Sequence, residues 1–314
     1  MGDGSLDTLR LGLVALQNLC FAVTVGALLC DRWLVPRTSP WRTGVSRQLT
    51  LALRIASIVA VASSVLAFWV HCALMGETAL LEAWPAVRSM LAGTSLGHAW
   101  LAGATLLSGV AMLSFVSSPD RAVRFPLTMS LALAGVALAR SHSGHPVDAG
   151  PFSLPVWVDW LHLLAISAWV GLVVVTAYVV APLLLRAPAT ERAISAAFIQ
   201  SLSDAATFAL IVLFVTGAYN GWRGVGSPAS LPDSAYGQLL LLKLGLVLVA
   251  AALGGHNRFV EMPRLLTSLK IASPTSLRRP FRRFVTVLRV EAWVLMGVLA
   301  VAAILVSSPL PGPP

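Results

Sequence analysis

Eight stretches of mainly apolar residues constrain the fold of this chain more than any other feature of its sequence. They fall at approximately 9–30, 49–72, 95–117, 122–141, 156–185, 203–222, 236–258 and 289–308. A helix of about 20 residues is long enough, at 1.5 Å per residue, to cross the roughly 30 Å hydrocarbon core of a bilayer. Only 11% of the residues are charged, against about a quarter in soluble proteins. We therefore predict an all-α integral membrane protein with eight transmembrane helices.

The basic residues indicate how these spans are oriented. If the spans alternate in direction, four basic residues lie on one face, namely Arg10, Arg88, Arg140 and Arg223. Sixteen lie on the other, which we call the basic face: Arg32, Arg37, Arg42, Arg47, Arg121, Arg124, Arg186, Arg192, Arg258, Arg264, Lys270, Arg278, Arg279, Arg282, Arg283 and Arg289. By the positive-inside rule the basic face is cytoplasmic, and both termini lie on the outer, periplasmic side. The net charge of +9 is thus mainly a topology signal, and we expect no nucleic-acid partner.

The polar segments divide the chain into two halves. We predict an N-terminal four-helix half over 1–139, a C-terminal four-helix half over 140–309 and a disordered tail over 310–314. The longest polar segment, 257–288, places leucines and phenylalanines among its arginines at helical spacing, which predicts a basic amphipathic cytoplasmic loop. This loop either lies on the anionic inner leaflet or docks a cytoplasmic partner. Pro182 is predicted to bend or end the overlong fifth span.

Metal-binding side chains are concentrated at the outer face. Five of the six histidines fall there: His71, His98, His142, His145 and His162. Cys72 and Met75 follow His71, and Asp159 shares a helical face with His162 because the two are three residues apart. Imidazole combined with soft sulfur ligands suits copper best among the common metals. We therefore predict a copper site built from these histidines, Cys72, Met75 and Asp159.

Each of these residues also has a structural explanation. A histidine at the end of a span is often an interfacial polar group, and Met75 and Cys72 pack well as apolar side chains. Asp159 could orient His162 rather than bind metal itself. The oxidation state is open as well, because histidine with carboxylate suits Cu(II) whereas histidine with sulfur suits Cu(I).

Four further polar residues are predicted to lie inside spans: Gln17, Asn18, Asn220 and Lys243. Polar and ionisable groups within a membrane are costly and usually functional. These side chains either join helices by hydrogen bonds or line a polar path for the ion.

Eight short motifs follow one another in the second half of the chain. They are Ser141-His142, Asp159-Trp160-Leu161-His162-Leu163-Leu164-Ala165, Ala168-Trp169-Val170-Gly171, Val215-Thr216-Gly217, Tyr236-Gly237-Gln238-Leu239-Leu240, Leu242-Lys243-Leu244, Asn257-Arg258-Phe259 and Leu288-Arg289-Val290-Glu291-Ala292. In this order they resemble the bacterial copper resistance protein D family. The resemblance as a whole covers roughly Arg140 to Pro309. Their common order and spacing carry the resemblance, because no single motif is specific enough alone.

The resemblance implies a multi-pass protein of the bacterial inner membrane that handles copper. It implies His142 and His162 as metal ligands, and it marks Lys243, Asn257, Arg258 and Glu291 as family positions without an assigned role. It also implies a separate periplasmic copper-binding partner of the copper resistance protein C type.

We therefore expect a non-enzymatic protein that takes copper from the periplasm and moves it towards the cytoplasm. The sequence has no phosphate-binding loop of the kind that ATP-driven pumps use. An inside-negative membrane potential favours inward movement of a monovalent cation by about 2.3 kcal/mol per 100 mV. One alternative is a haem b redox protein with His71 and His162 as axial ligands. Another is a membrane scaffold that binds no metal.

Overall fold

The computed structural model describes residues 3–33, 39–116, 125–225, 230–270 and 274–308, and these are helical almost throughout. The main helices are α1 (Asp3–Arg32), α2 (Pro40–Met75), α3 (Trp84–Gly93), α4 (Ser95–Val116), α5 (Pro126–Ser141), α6 (Leu154–Leu184), α7 (Arg192–Val225), α8 (Ala235–Lys270) and α9 (Pro274–Ser307). No strand occurs in these ranges. The predicted tail at 310–314 lies outside them.

Seven of these helices are long and apolar enough to cross a membrane, namely α1, α2, α4, α6, α7, α8 and α9. The prediction of an all-α membrane protein is thereby confirmed. The fourth predicted span corresponds to α5, which has 16 residues and is therefore about 24 Å long at 1.5 Å per residue. Its predicted start at 122–124 lies outside the described residues. The eight-span topology and the orientation of the termini stay predictions.

Two of the long helices contain a π-helical turn. In α6 this turn spans Thr176–Val180, and in α8 it spans Asn257–Glu261. The helix α6 continues past Pro182 to Leu184, so the proline does not stop it at once. The π turn changes the hydrogen-bond register immediately before Pro182, which has no N–H to donate.

The polar segment 257–288 is helical on both sides of a short connection. Helix α8 extends to Lys270 and α9 begins at Pro274; residues 271–273 between them lie outside the described part. The apolar side chains Leu265, Phe281 and Phe284 are buried, whereas Arg282 and Arg283 beside them are exposed. Helical structure thus continues from α8 and α9 into the predicted amphipathic segment, and its cytoplasmic location stays a prediction.

Helices α1 and α6 cross in direct backbone contact at the centre of the bundle. A Cβ atom added at Gly26 would lie 2.2 Å from the carbonyl carbon of Gly171. One added at Gly171 would lie 1.9 Å from the backbone oxygen of Ala22. Only glycine allows this approach, which is the small-residue packing typical of membrane helices. Two residues before Gly171, the indole Nε1 of Trp169 donates a hydrogen bond of 3.0 Å to Glu291 and thereby joins α6 to α9.

The helix ends segregate to two faces, as the alternating charge pattern requires. Asp7 near the start of α1, His71 near the end of α2 and Ser307 at the end of α9 line one cavity. At the opposite end of the bundle, Arg42 donates to Glu191 at 2.8 Å. Near it, the indole Nε1 of Trp41 donates to the backbone oxygen of Leu183 at 3.2 Å.

Candidate functional site

A polar network joins five helices in the half of the bundle that the charge pattern predicts to face outwards. At its centre is Asp159 on α6, whose carboxylate accepts a hydrogen bond of 3.2 Å from the amide of Asn220 on α7. Asp159 also interacts electrostatically with Arg140 at the end of α5 and with Lys243 on α8. Arg140 in turn donates a hydrogen bond to the side-chain oxygen of Asn18 on α1. Three of the four predicted pathway residues are therefore members of one network with Asp159.

His162 lies one helical turn from Asp159 and is held in a defined orientation. Its Nδ1 is 3.0 Å from the hydroxyl oxygen of Thr216 on α7. That hydroxyl already donates its single proton to the backbone oxygen of Val212, at 2.7 Å. The hydroxyl oxygen therefore accepts from Nδ1–H, so the proton of the neutral ring resides on Nδ1. The Nε2 lone pair remains for a ligand, which is how partner groups prepare metal-binding histidines.

A glycine leaves the space that the His162 ring occupies. A Cβ atom added at Gly217 would lie 3.3 Å from Cε1 of His162. Any larger residue at this position would push against the imidazole. Thr216 and Gly217, adjacent in the sequence, therefore set the hydrogen bonding and the position of the same ring.

A separate cavity at the outer face contains His71 and Met75. Its volume is about 540 Å³, and Asp7 and Arg10 of α1 also line it. Arg10 forms an ion pair of 2.8 Å with Asp7. An imidazole and a thioether thus line the same cavity, which we call the outer cavity, and their role as metal ligands stays a prediction.

The other predicted ligands lie elsewhere. Cys72 is buried in an apolar cluster with Phe68 and Val87, and His98 is exposed on α4. Both ring nitrogens of His142 face backbone oxygens, those of Leu138 at 2.9 Å and Pro151 at 2.8 Å. Both ring nitrogens of His142 thus lie against backbone acceptors rather than facing an open ligand site.

His145 begins a short 3₁₀ helix, His145–Ala149, and its side chain lies outside the described part. Gln17 is partly buried beside Asn18 on α1. Among the residues that the structure describes, no three His, Cys, Asp or Glu side chains lie close enough together to hold a metal ion. The predicted ligands are instead distributed over the outer cavity, the polar network and the outer loops.

The network combines two basic groups with one carboxylate. When all three ionisable groups are charged, Arg140 and Lys243 outnumber Asp159 and leave one excess positive charge. Such a site repels a hydrated cation. A metal that binds nitrogen strongly would have to be stabilised by His162 Nε2 instead.

Two members of this site were not assigned a role from the sequence. The sequence assigns Arg140 only to the basic residues of the outer face. Its position at the end of a span, 19 residues before Asp159, is the one signal that could suggest its interaction with this carboxylate. Thr216 belongs to the Val215-Thr216-Gly217 motif, but threonine is common in membrane helices. Only the contact between α6 and α7 reveals that it bonds His162.

Two family models match the chain. One, described as copper resistance protein D-like, N-terminal domain, matches residues 5–150, and the other, copper resistance protein D, matches residues 196–305. Thr216, Asn220 and Lys243 fall within the second match, whereas Asp159 and His162 lie between the two.

Two relatives also align with the chain. Copper resistance protein D of Pseudomonas syringae pv. tomato is 31% identical over 219 residues, which is 68% of this chain and 66% of the relative. Copper transport protein CutJ of Bacillus subtilis is 27% identical over 180 residues, which is 57% of this chain and 30% of the relative. The aligned part is thus less than two thirds of either relative. No solved structure is significantly similar. The matches at both ends of the sequence and the Pseudomonas relative, together with the ordered motifs, show that the chain belongs to the copper resistance protein D family.

Proposed function

We propose that this protein carries copper across the membrane, with His162 as the central ligand of the passage. The observation that supports this most is the hydrogen bond between His162 Nδ1 and Thr216. This bond leaves the lone pair of Nε2 free to bind a metal inside the membrane. A histidine within a span is costly even when it is neutral, so a residue of this kind usually has a function. The names of the two relatives, a copper resistance protein and a copper transport protein, supply the identity of the cargo.

The outer cavity is the proposed point of entry. His71 and Met75 there offer one nitrogen and one sulfur donor, a pair suited to Cu(I). From this cavity, α1 leads towards the polar network, because Asp7 lines the cavity and Asn18 belongs to the network. These two residues are about three helical turns apart and therefore lie on the same side of α1, separated by about 16 Å along the axis.

Inward movement needs no bound nucleotide in this proposal. The membrane potential draws a monovalent cation towards the cytoplasm, and the excess positive charge of the network keeps other hydrated cations out. Asp159 offsets part of the charge of Arg140 and Lys243 and thereby lowers the repulsion that copper meets beside His162. A periplasmic copper-binding protein of the copper resistance protein C type would deliver copper at the outer cavity.

The test is the copper content of the purified protein after reconstitution with Cu(I) and removal of weakly bound metal. We expect wild-type protein to retain copper, and His162→Ala to bind it at least about tenfold more weakly, as loss of a principal ligand predicts. His98→Ala is the matched control, because His98 is exposed outside the site, and it should bind like wild type. Uptake of copper into liposomes then measures the direction of transport.

Equal copper retention by wild-type and His162→Ala protein would exclude His162 as the central ligand. The same preparation tests the haem alternative, in which His71 and His162 are axial ligands. A Soret band at stoichiometric intensity that His162→Ala removes would favour the redox protein over the transporter.

A further inference from the structure

A large basic cavity lies at the end of the bundle opposite the outer cavity, and the copper proposal does not use it. Its volume is about 1180 Å³. The end of α6, the start of α7 and the first turns of α9 form its walls, with Glu261 of α8. We call it the arginine cavity, because six arginines line it: Arg186, Arg192, Arg278, Arg279, Arg282 and Arg283.

The arginine cavity carries a strong positive charge that its own residues do not neutralise. Glu261 is the acidic residue in its lining, and Arg264 already pairs with that carboxylate at 3.1 Å. In the described part of the chain, no carboxylate forms an ion pair with Arg279, Arg282 or Arg283. The guanidinium groups of Arg279, Arg282 and Arg283, close together at one cavity, repel one another, and a bound anion would relieve this repulsion.

The four arginines of α9 are arranged in two rows. Arg278 and Arg282 are four residues apart, as are Arg279 and Arg283, so each pair is stacked on one side of the helix. Like charges at this spacing destabilise a helix. Phe281 and Phe284 are buried on the other side of the same turns. This packing fixes the rotation of α9, so that the exposed arginine rows line the open cavity.

The arginine cavity is lined by both basic and apolar side chains, which favours a ligand that carries an anionic group and an apolar part. Leu184, Leu185, Leu269 and Val287 share the cavity wall with the arginines. Planar guanidinium groups bind phosphate oxygens in pairs of parallel hydrogen bonds. A basic pocket between membrane helices on the cytoplasmic side, with apolar walls, suits the headgroup and upper acyl chain of an anionic phospholipid.

We propose that the arginine cavity binds a phosphate-bearing anion, with an anionic phospholipid of the adjacent leaflet as the source that the apolar lining favours. The bound phosphate holds the start of α9 against the end of α6 and the start of α7. The site is independent of the outer cavity and of the polar network, so it can be tested without copper.

The experiment measures the thermal unfolding midpoint of the purified full-length protein in detergent. The protein is titrated with phosphatidylglycerol, with phosphatidylcholine or with inorganic phosphate, because a ligand that binds only the folded state raises the midpoint. We expect phosphatidylglycerol to raise it and phosphatidylcholine to have little effect. The triple variant Arg279→Gln/Arg282→Gln/Arg283→Gln should bind phosphatidylglycerol at least about tenfold more weakly.

A control variant removes the same charge from the basic face outside the arginine cavity. Arg32→Gln/Lys270→Gln/Arg289→Gln should retain the wild-type response, because none of these residues lines the cavity. The single variant Arg282→Gln serves if the triple variant fails to fold, and it should show a smaller loss in the same direction.

Binding of either phosphatidylglycerol or inorganic phosphate would support the site, and the titration distinguishes between the two. A response to phosphatidylglycerol alone identifies the lipid, whereas an equal response to inorganic phosphate identifies a free anion. The proposal is overturned if neither compound raises the midpoint. It is also overturned if the control variant loses the response as fully as the cavity variant does, since the effect would then be a property of surface charge.

Discussion

At His162, one neighbouring hydroxyl group decides which ring nitrogen can bind a ligand. Thr216 donates to the backbone oxygen of Val212 and therefore accepts from His162 Nδ1–H. Without that acceptor, the buried Nδ1–H would lose its partner, at a cost of about 1–3 kcal/mol, or the proton would move to Nε2. Either change reduces the population of the ring that presents Nε2 to copper.

The variant Thr216→Val tests this role. We expect its copper affinity to fall by about 10- to 100-fold, the usual effect of removing a group that orients a metal-binding histidine. The affinity is measured by competition with a chromophoric copper chelator. Thr216→Ser, which keeps a hydroxyl group, should restore most of the affinity.

Thr50→Val is the matched control for this substitution. The hydroxyl of Thr50 donates to the backbone oxygen of Ser46 at 2.9 Å, as that of Thr216 does to Val212, but it has no histidine partner in the described structure. Thr50→Val should leave copper affinity unchanged. If Thr216→Val were equally without effect, Thr216 would be only a packing residue.

At the scale of the helices, the crossing of α1 and α6 determines where the polar groups of both elements meet. Gly26 and Gly171 allow the two backbones to touch. The helix α1 carries Asn18 and α6 carries Asp159, so this contact brings the network residues to one level of the bundle. A change at the crossing therefore affects both stability and the geometry of the site.

We expect Gly26→Ala to destabilise the protein by about 1–3 kcal/mol, the usual cost of overpacking a close contact. The added Cβ would lie 2.2 Å from the backbone of Gly171, and backbone atoms cannot move aside as a flexible side chain can. The thermal unfolding midpoint in detergent measures the effect.

Gly12→Ala, on the same helix, is the control variant. The atom added there has no neighbour within 4 Å. This variant should be at least as stable as wild type, because alanine favours helices. Equal stability of the two variants would contradict the close crossing.

At the scale of the whole molecule, the two ends of the bundle differ in chemistry. One end holds the outer cavity with His71 and Met75, and the other holds the arginine cavity. The positive-inside rule predicts that the end with the arginine cavity faces the cytoplasm.

Reporter fusions test that orientation. An alkaline phosphatase domain, which is active only in the periplasm, should be active when fused after Ser308 and inactive when fused after Lys270. A green fluorescent protein, which fluoresces when it folds in the cytoplasm, should give the opposite pattern. The reverse result at both sites would invert the topology and move the proposed copper entry to the cytoplasmic side.

Local sequence patterns were sufficient to predict the helices, because a span must satisfy its own backbone hydrogen bonds and must be apolar over about 20 residues. The same patterns did not predict the π turns in α6 and α8, or that α8 extends to Lys270 and α9 begins at Pro274. These depend on how a helix packs against its neighbours near the membrane surface. The sequence also did not reveal that α5 begins only at Pro126, because apolar residues precede this proline.

The residues of the candidate site were likewise predictable from the sequence only in part. Charge and hydropathy along the chain determined that this is an α-helical membrane protein with one strongly basic face, because both properties are set by residues close in sequence. They also identified Asn18, Asp159, His162, Asn220 and Lys243 as unusual groups within spans. Only the tertiary structure decided which of them meet, separated His71 from His162, paired His142 with backbone oxygens and added Arg140 and Thr216. Those outcomes depend on the crossing and rotation of helices far apart in the chain, and no periodicity within one helix determines its rotation relative to another.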